Sequence, residues 1–441
     1  MAAQTDRWVT GDRFGQAIPA DPEALRNGGP KFLTDAFRMS GVLSADNAVR
    51  SITDFRKFAG GSTGRKVVLS VEYDKPLPGL HTELFVKFSR DFSDPARDRG
   101  KTQMESEVRF AALSQAPGFP IAVPDVLFGD YHRPTGTGVL ITERIRFGTN
   151  GIEHQYHKCL DYEMPEPVEH YRALLTTVAR LAGWHRSGHL PASSTAHFPL
   201  DLRAATVGER APMSMDMLDR RLSQLAELVE THTGLLPANV DSAFLARLRD
   251  EAPRLMQHNG FVLDQLAADD DYVALCHWNA NVDNAWFWRD NDDVLHCGLM
   301  DWGCVSQMNM GMAIWGAMSG AETDLWNRHL DELLHSFVAE VRRCGGPHLD
   351  ADRLVRHTVL YAASMGVAWL LDVPALIHRR FGGSAPSSHT DPRIKGDESV
   401  RAPLQMLSNV LSLWECHRVG DLLEEALDEN GIDGTEGRRV G

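Results

Sequence analysis

The sequence predicts an α+β chain in two parts, a small N-terminal region built on antiparallel strands and a larger, mostly helical remainder. Three observations predict it. Between Ile52 and Ile145 the apolar residues come in short runs broken by glycine-rich or polar turns, the pattern of strands joined as hairpins. After residue 150 the spacing changes to three and four, and Tyr171, Leu174, Leu175, Val178, Ala179, Leu181, Ala182 and His185 fall on one helical face. Inside the helical part lies one strand-like island that ends at Asp301-Trp302-Gly303. The chain divides accordingly into an N-terminal extension (1–45), the strand region (46–145), the helical region (146–428) and a polar, glycine-rich tail (429–441).

In the extension, Pro19, Pro22 and Gly28-Gly29-Pro30 interrupt any period, and Phe32, Leu33, Phe37 and Met39 predict a short amphipathic helix. A strand over 55–59 and another over 67–73 flank Gly60-Gly61-Ser62-Thr63-Gly64. A glycine-rich turn lets backbone N–H groups approach a phosphate closely, so Gly60, Gly61, Ser62 and Thr63 are candidate phosphate contacts. An ordinary hairpin turn is the competing reading. The spacing around Lys66 does not fit the G-x-x-x-x-G-K-[ST] loop, and no helix follows.

The next strand, Leu84-Phe85-Val86-Lys87-Phe88, places a lysine in an apolar run, which is costly unless the charge is paired or liganded. The helical run after it offers Glu107 as the partner, because it directly precedes the apolar face, with Glu105 as the alternative. A strand from Gly138 then runs into a polar, extended segment at Glu143-Arg144-Ile145.

Helices are predicted over 215–233, 240–261, 322–344, 350–371 and 401–426, with apolar stripes that read as core. Residues 381–399 hold three glycines and two prolines without periodicity and are locally basic, so they read as an active-site lid or as a loose surface loop.

The island at 272–303 carries the chemistry. His277 is followed by Asn279 and Asn284, and the second short strand ends at Asp301. The spacing resembles the loops of a kinase fold: His-x-Asp, four residues, Asn, then an Asp-x-Gly turn. The glycine turn, Lys87, the extended segment and these loops together resemble the aminoglycoside phosphotransferase and choline kinase superfamily, over roughly residues 50–375. Asn284-Ala-Trp-Phe, Gly-Leu-Met-Asp301-Trp-Gly and the helix ending Leu181-Ala-Gly-Trp-His185 carry the likeness further.

That resemblance implies a bilobal, protein-kinase-like fold with ATP and Mg2+ as cofactors. It makes Lys87 a nucleotide-phosphate ligand braced by Glu107, and Glu143 to Ile145 the hinge whose backbone meets adenine. Asn284 and Asp301 become the magnesium ligands, and His277 and Asn279 the catalytic loop. The implied reaction is transfer of phosphate to a hydroxyl of a small-molecule acceptor.

Three departures stand out. Trp278 fills a position that is usually small. Asn279 replaces the catalytic Asp, and an amide is no base near neutral pH. Met312-Ala313-Ile314 stands where a further Asp commonly braces the loop. Asp283 could take over part of the lost role or could simply stabilise a turn. A catalytically impaired, nucleotide-binding regulator or scaffold is therefore the alternative reading.

Composition narrows the partners. The 441 residues carry a formal net charge of −15, which argues against nucleic acid or an anionic membrane as the main partner. The six cysteines form no C-x-x-C pair, so free thiols in a reducing compartment are expected. The polar N-terminus shows no signal peptide, and the longest apolar run noted in the C-terminal half, 359–371, is too short to span a bilayer, which gives a cytoplasmic expectation.

Overall fold

The structure, a computed structural model, describes residues 7–58, 60, 61, 63–190, 192–202, 213–232, 234–384 and 386–432. It is α+β and divides into two compact units. One comprises Met1–Ile152, Ala196–Phe198 and Gly298–Val305, and the other the rest of the chain.

The first unit is built on a five-stranded antiparallel sheet. Its strands are β3 (Val49–Phe58), β4 (Arg65–Tyr73), β5 (Glu83–Phe88), β6 (Val126–His132) and β7 (Thr137–Glu143), in the order β3-β4-β5-β7-β6. A short pair, β1 (Trp8–Thr10) with β2 (Ala17–Pro19), precedes it. Strand β3 begins six residues before the expected 55–59. Its early residues include Arg50, Ser51 and Asp54, which an edge strand can hold in water, so its polar half escapes an apolar pattern.

The expected short helix is longer as well. Helix α1 (Pro22–Met39) starts at a proline pre-set for the first helical position, after Asp21, whose carboxylate accepts the Ala24 N–H at 2.8 Å. Gly29-Pro30 kinks α1 where the sequence suggested a break. Leu25, Leu33 and Phe37 of α1 share one core with Val67, Leu69, Val86 and Ile141 of the sheet. Helix α2 (Gln103–Leu113) turns Met104, Glu107, Val108, Phe110 and Ala111 inward.

The second unit is mostly helical. Helices α3 (Pro167–Arg186), α4 (Met215–Thr231) and α5 (Ser242–Ala268) come first. Strands β8 (Val273–His277), β9 (Ala285–Arg289), β10 (Leu295–Leu299) and β11 (Val305–Asn309) follow along the chain, with β9 paired to β10 and β8 to β11, and Gly298, Leu299 and Val305 counted with the first unit. Then come α6 (Met310–Met318), α7 (Thr323–Arg343), α8 (Ala351–Trp369), α9 (Val373–Phe381), α10 (Glu398–Cys416) and α11 (Val419–Glu429).

The single helix expected over 401–426 is thus two. Arg418 takes a left-handed φ of 52°, which breaks the helix between Trp414 and Leu423 while the apolar spacing runs on. Most described residues of the 381–399 segment are exposed or half-buried, and it is anchored at Ile394. Ile394 is fully buried in a one-turn helix at Pro392–Lys395 that Asp391 caps. By length and composition the stretch Ala351–Phe381 could cross a membrane, a longer candidate than the run read from the sequence. Of its most apolar window 72% is buried within the chain, as in a core helix.

Candidate active site

The first unit gathers a lysine and two carboxylates. Lys87 on β5 donates from Nζ to Glu107 Oε1 at 2.7 Å and to Asp301 Oδ1 at 2.8 Å. The Lys87 and Glu107 side chains are 11% and 7% exposed, whereas Asp301 keeps 42%. Burial alone would lower the Lys87 pKa, but Glu107 and Asp301 overcome it and hold the ammonium protonated well above its ordinary range. Glu105, the alternative partner, pairs instead with Arg109 and Arg133, each at 2.6 Å.

Asp301 reaches Lys87 from a residue with φ of 63°, a left-handed conformation that costs a non-glycine residue roughly 1–2 kcal/mol. Its side chain makes no capping hydrogen bond to the short helix that follows, Trp302–Cys304. The neighbouring Trp302 is tightly fixed. Its ring stacks on Phe110 of α2 with centroids 3.7 Å apart, and its Nε1 donates to the Leu299 carbonyl at 3.0 Å.

The glycine turn sits over two cations that no sequence motif marked. Arg97 donates to the carbonyls of Gly61 and Gly64 at 2.9 and 2.8 Å and to that of Gly60 at 3.3 Å. Lys66 Nζ donates to the Gly60 carbonyl at 3.1 Å. Gly64, at φ 53°, could carry no side chain, because a Cβ would lie 1.9 Å from the Phe88 carbonyl oxygen. Thr63 packs on Gly100, and Ser62 lies outside the described residues. Lys66 was detectable by the argument that singled out Lys87, since it too interrupts an apolar strand. Arg97 offers no local pattern, because its partners lie 33 to 37 residues away.

At the expected hinge the Glu143 N–H donates to the Asp125 carbonyl at 2.8 Å and the Arg144 N–H to Glu83 at 3.0 Å. The Glu143 amide is therefore engaged inside the sheet and does not serve as an adenine donor in this arrangement. Ile145 is the first residue beyond that ladder.

The second unit gathers the loop residues after β8. His277 is completely buried, and its Nδ1 accepts the Asn279 N–H at 3.1 Å. Asn279 Oδ1 accepts from Asn281 Nδ2 at 2.7 Å, and the Asn279 carbonyl accepts from Asn284 Nδ2 at 2.9 Å. Those bonds fix both side chains of the His-x-Asn, four residues, Asn pattern. Asp283 lies on the same turn, and its carbonyl accepts from Gln155 at 3.2 Å.

Trp278 has a structural role. Its Nε1 donates to the Tyr361 hydroxyl of α8 at 2.8 Å, and its carbonyl lies so close to Gly316 of α6 that a Cβ there would sit 1.6 Å away. The loop thus packs on α6 and α8. Near this turn Asp161 is 1% exposed and accepts from the Tyr171 hydroxyl at 2.8 Å. Burial, with Glu322 and Asp283 nearby, raises it to about 7.

No family model matches the chain, and no curated protein matches it in sequence. Solved structures similar to it are aminoglycoside phosphotransferases and amino-alcohol kinases. A spectinomycin phosphotransferase in complex with ADP and spectinomycin is 10% identical, with 85% of this chain and 94% of that one covered at a TM-score of 0.39. A microcompartment-associated aminopropanol kinase is 15% identical, with 89% and 96% covered at 0.38. The Plasmodium vivax ethanolamine kinase is 12% identical, with 83% of each covered at 0.42. Likenesses of this size transfer neither substrate nor activity.

Proposed function

We propose that the chain is a small-molecule phosphotransferase that moves the terminal phosphoryl group of ATP to an acceptor hydroxyl. One observation carries this reading. A lysine near the end of an apolar strand joins a helix carboxylate to the carboxylate of an Asp-x-Gly turn, at 2.7 and 2.8 Å. Phosphoryl transfer needs positioned charge more than covalent chemistry, and this linkage fixes one cation and two anions in place.

The resemblance makes Asp301, in the first unit, and Asn284, in the second, candidate magnesium ligands, each proposed here on its own chemistry. They suit that ion because a carboxylate and an amide oxygen are the hard donors it prefers. The Asp301 carboxylate keeps 42% exposure, and Asn284 is anchored through its nitrogen. Magnesium, when bound, would neutralise the phosphate oxygens. The glycine turn and a lysine beneath it would hold the phosphate chain, and Asn279 would orient the acceptor hydroxyl without removing its proton.

Loss of the base leaves a slower enzyme rather than an inert one, since general-base help is worth ~10²–10⁴-fold. ATP consumption against amino sugars, amino alcohols and sugars tests the reading. Turnover with one of them, absent from Asp301→Ala, supports it. No turnover above that variant across the panel removes the enzyme reading and leaves a nucleotide-binding regulator.

A further inference from the structure

Strands β4 and β5 pair Lys66 directly with Lys87, so two lysines stand side by side beneath the glycine turn. Their surroundings differ sharply. Lys87 is held by two carboxylates at 2.7 and 2.8 Å. Lys66 is 7% exposed, yet among the described residues its ammonium has one hydrogen-bond partner, the neutral Gly60 carbonyl at 3.1 Å. No carboxylate lies within ion-pair distance of it among those residues.

A buried ammonium without an anion is unfavourable, and the site as it stands favours the arrival of one. Burial, followed by the neighbouring charge of Lys87, depresses the Lys66 pKa, while the more distant Asp301 and Glu107 only partly offset this and Arg97 adds to it. The turn above is shaped around this ammonium. Gly61 has φ 70°, and a Cβ there would fall 1.8 Å from Lys66 Nζ. Arg97 draws the carbonyls of Gly60, Gly61 and Gly64 toward itself, which fixes the turn's backbone over Lys66.

We propose that Lys66 is the ammonium that takes the phosphate chain of the nucleotide, and that Lys87 is a positioning residue that holds Glu107 and Asp301. This assignment rests on the nucleotide reading above for its ligand, but the anion site itself does not need adenine. An incoming polyphosphate would give Lys66 the anionic partner it lacks. Lys87 already commits two of its three N–H donors, and its charge, to two carboxylates.

Calorimetric titration of the full chain, without magnesium, tests it with adenosine, ADP, ATP and inorganic tripolyphosphate. Lys66→Met should weaken ADP, ATP and tripolyphosphate by roughly tenfold or more, the size of a lost charge-assisted hydrogen bond, and leave adenosine unchanged. Lys87→Met should weaken them less. Removal of a lone buried charge should leave the melting temperature of Lys66→Met no lower than wild type. If that variant fails to fold, Gly61→Ala, which displaces the ammonium without removing it, carries the test with the same expected selectivity.

Tripolyphosphate binding within threefold of wild type, or a larger loss in Lys87→Met, overturns the assignment. Wild-type binding of tripolyphosphate with no gain from adenine overturns the nucleotide reading alone. Binding of neither by wild type overturns both.

Discussion

Asn279 holds Asn281 by its side-chain oxygen at 2.7 Å, and its own backbone carbonyl receives Asn284 at 2.9 Å. The residue that replaces the expected base is thus also the one that organises the loop. An aspartate at 279 would keep both bonds, since a carboxylate accepts from Asn281 more strongly than an amide oxygen does. Asn279→Asp should therefore fold as wild type and raise turnover by ~10²-fold, the lower end of what a general base supplies. Steady-state rates with the acceptor found by ATP consumption check this. An unchanged rate would mean that the acceptor proton is not handled at this position.

Lys87 and Glu107 should behave as one unit. Lys87→Met strands a buried carboxylate and should cost about 3–5 kcal/mol at neutral pH. Adding Glu107→Gln removes that stranded charge and should recover part of the loss. Denaturant unfolding of the two single variants and the double variant measures the coupling, and simple additivity would contradict it.

The contact of Gly316 with the Trp278 carbonyl makes a separate prediction. A methyl group 1.6 Å from a backbone oxygen cannot be accommodated by a side-chain rotation. Gly316→Ala should destabilise by about 1–3 kcal/mol through overpacking and should disturb the loop at His277. Thermal melting checks the first effect. A melting temperature equal to wild type would show that α6 does not hold the loop.

Much of this was legible in the sequence, and for identifiable reasons. Lys87 and Asp301 each interrupt or end an apolar run, so their charges stood out against the background. The helical faces of α3, α7 and α8 followed from period alone. The features that escaped were set by tertiary partners. The polar half of β3 is an edge, the break at Arg418 lies in an unbroken apolar rhythm, and Arg97 acts on carbonyls far away in sequence. Trp278 read as a departure from a motif, and its anchor, Tyr361, is 83 residues distant.

The buried titratable groups predict how stability depends on pH. Asp161 is raised to about 7 in the fold, so its folded state binds more protons than the unfolded chain between about 4 and 7, and its burial penalty grows as pH rises through that window. Asp161→Asn should stabilise by about 2 kcal/mol at pH 8, and the gain should shrink as pH falls toward 4. His185 and His357 are lowered to about 4, chiefly by burial. Their contribution is complete above about 6.5 and is lost as pH falls from there toward 4. Equilibrium unfolding across pH 4–8 for wild type, Asp161→Asn and His357→Gln resolves the two opposite slopes. A pH-independent gain for Asp161→Asn would contradict the first.

The central claim is that Asp301 is where a phosphate-bound metal meets the protein, and ATP affinity measured with and without magnesium tests it most directly. Wild type should bind ATP more tightly with magnesium. Asp301→Asn should bind it equally with and without the ion. That variant should also melt close to wild type, since a carboxylate 42% exposed to solvent contributes little through its ion pair alone. Full magnesium dependence retained in Asp301→Asn would contradict the account and remove the metal site from it.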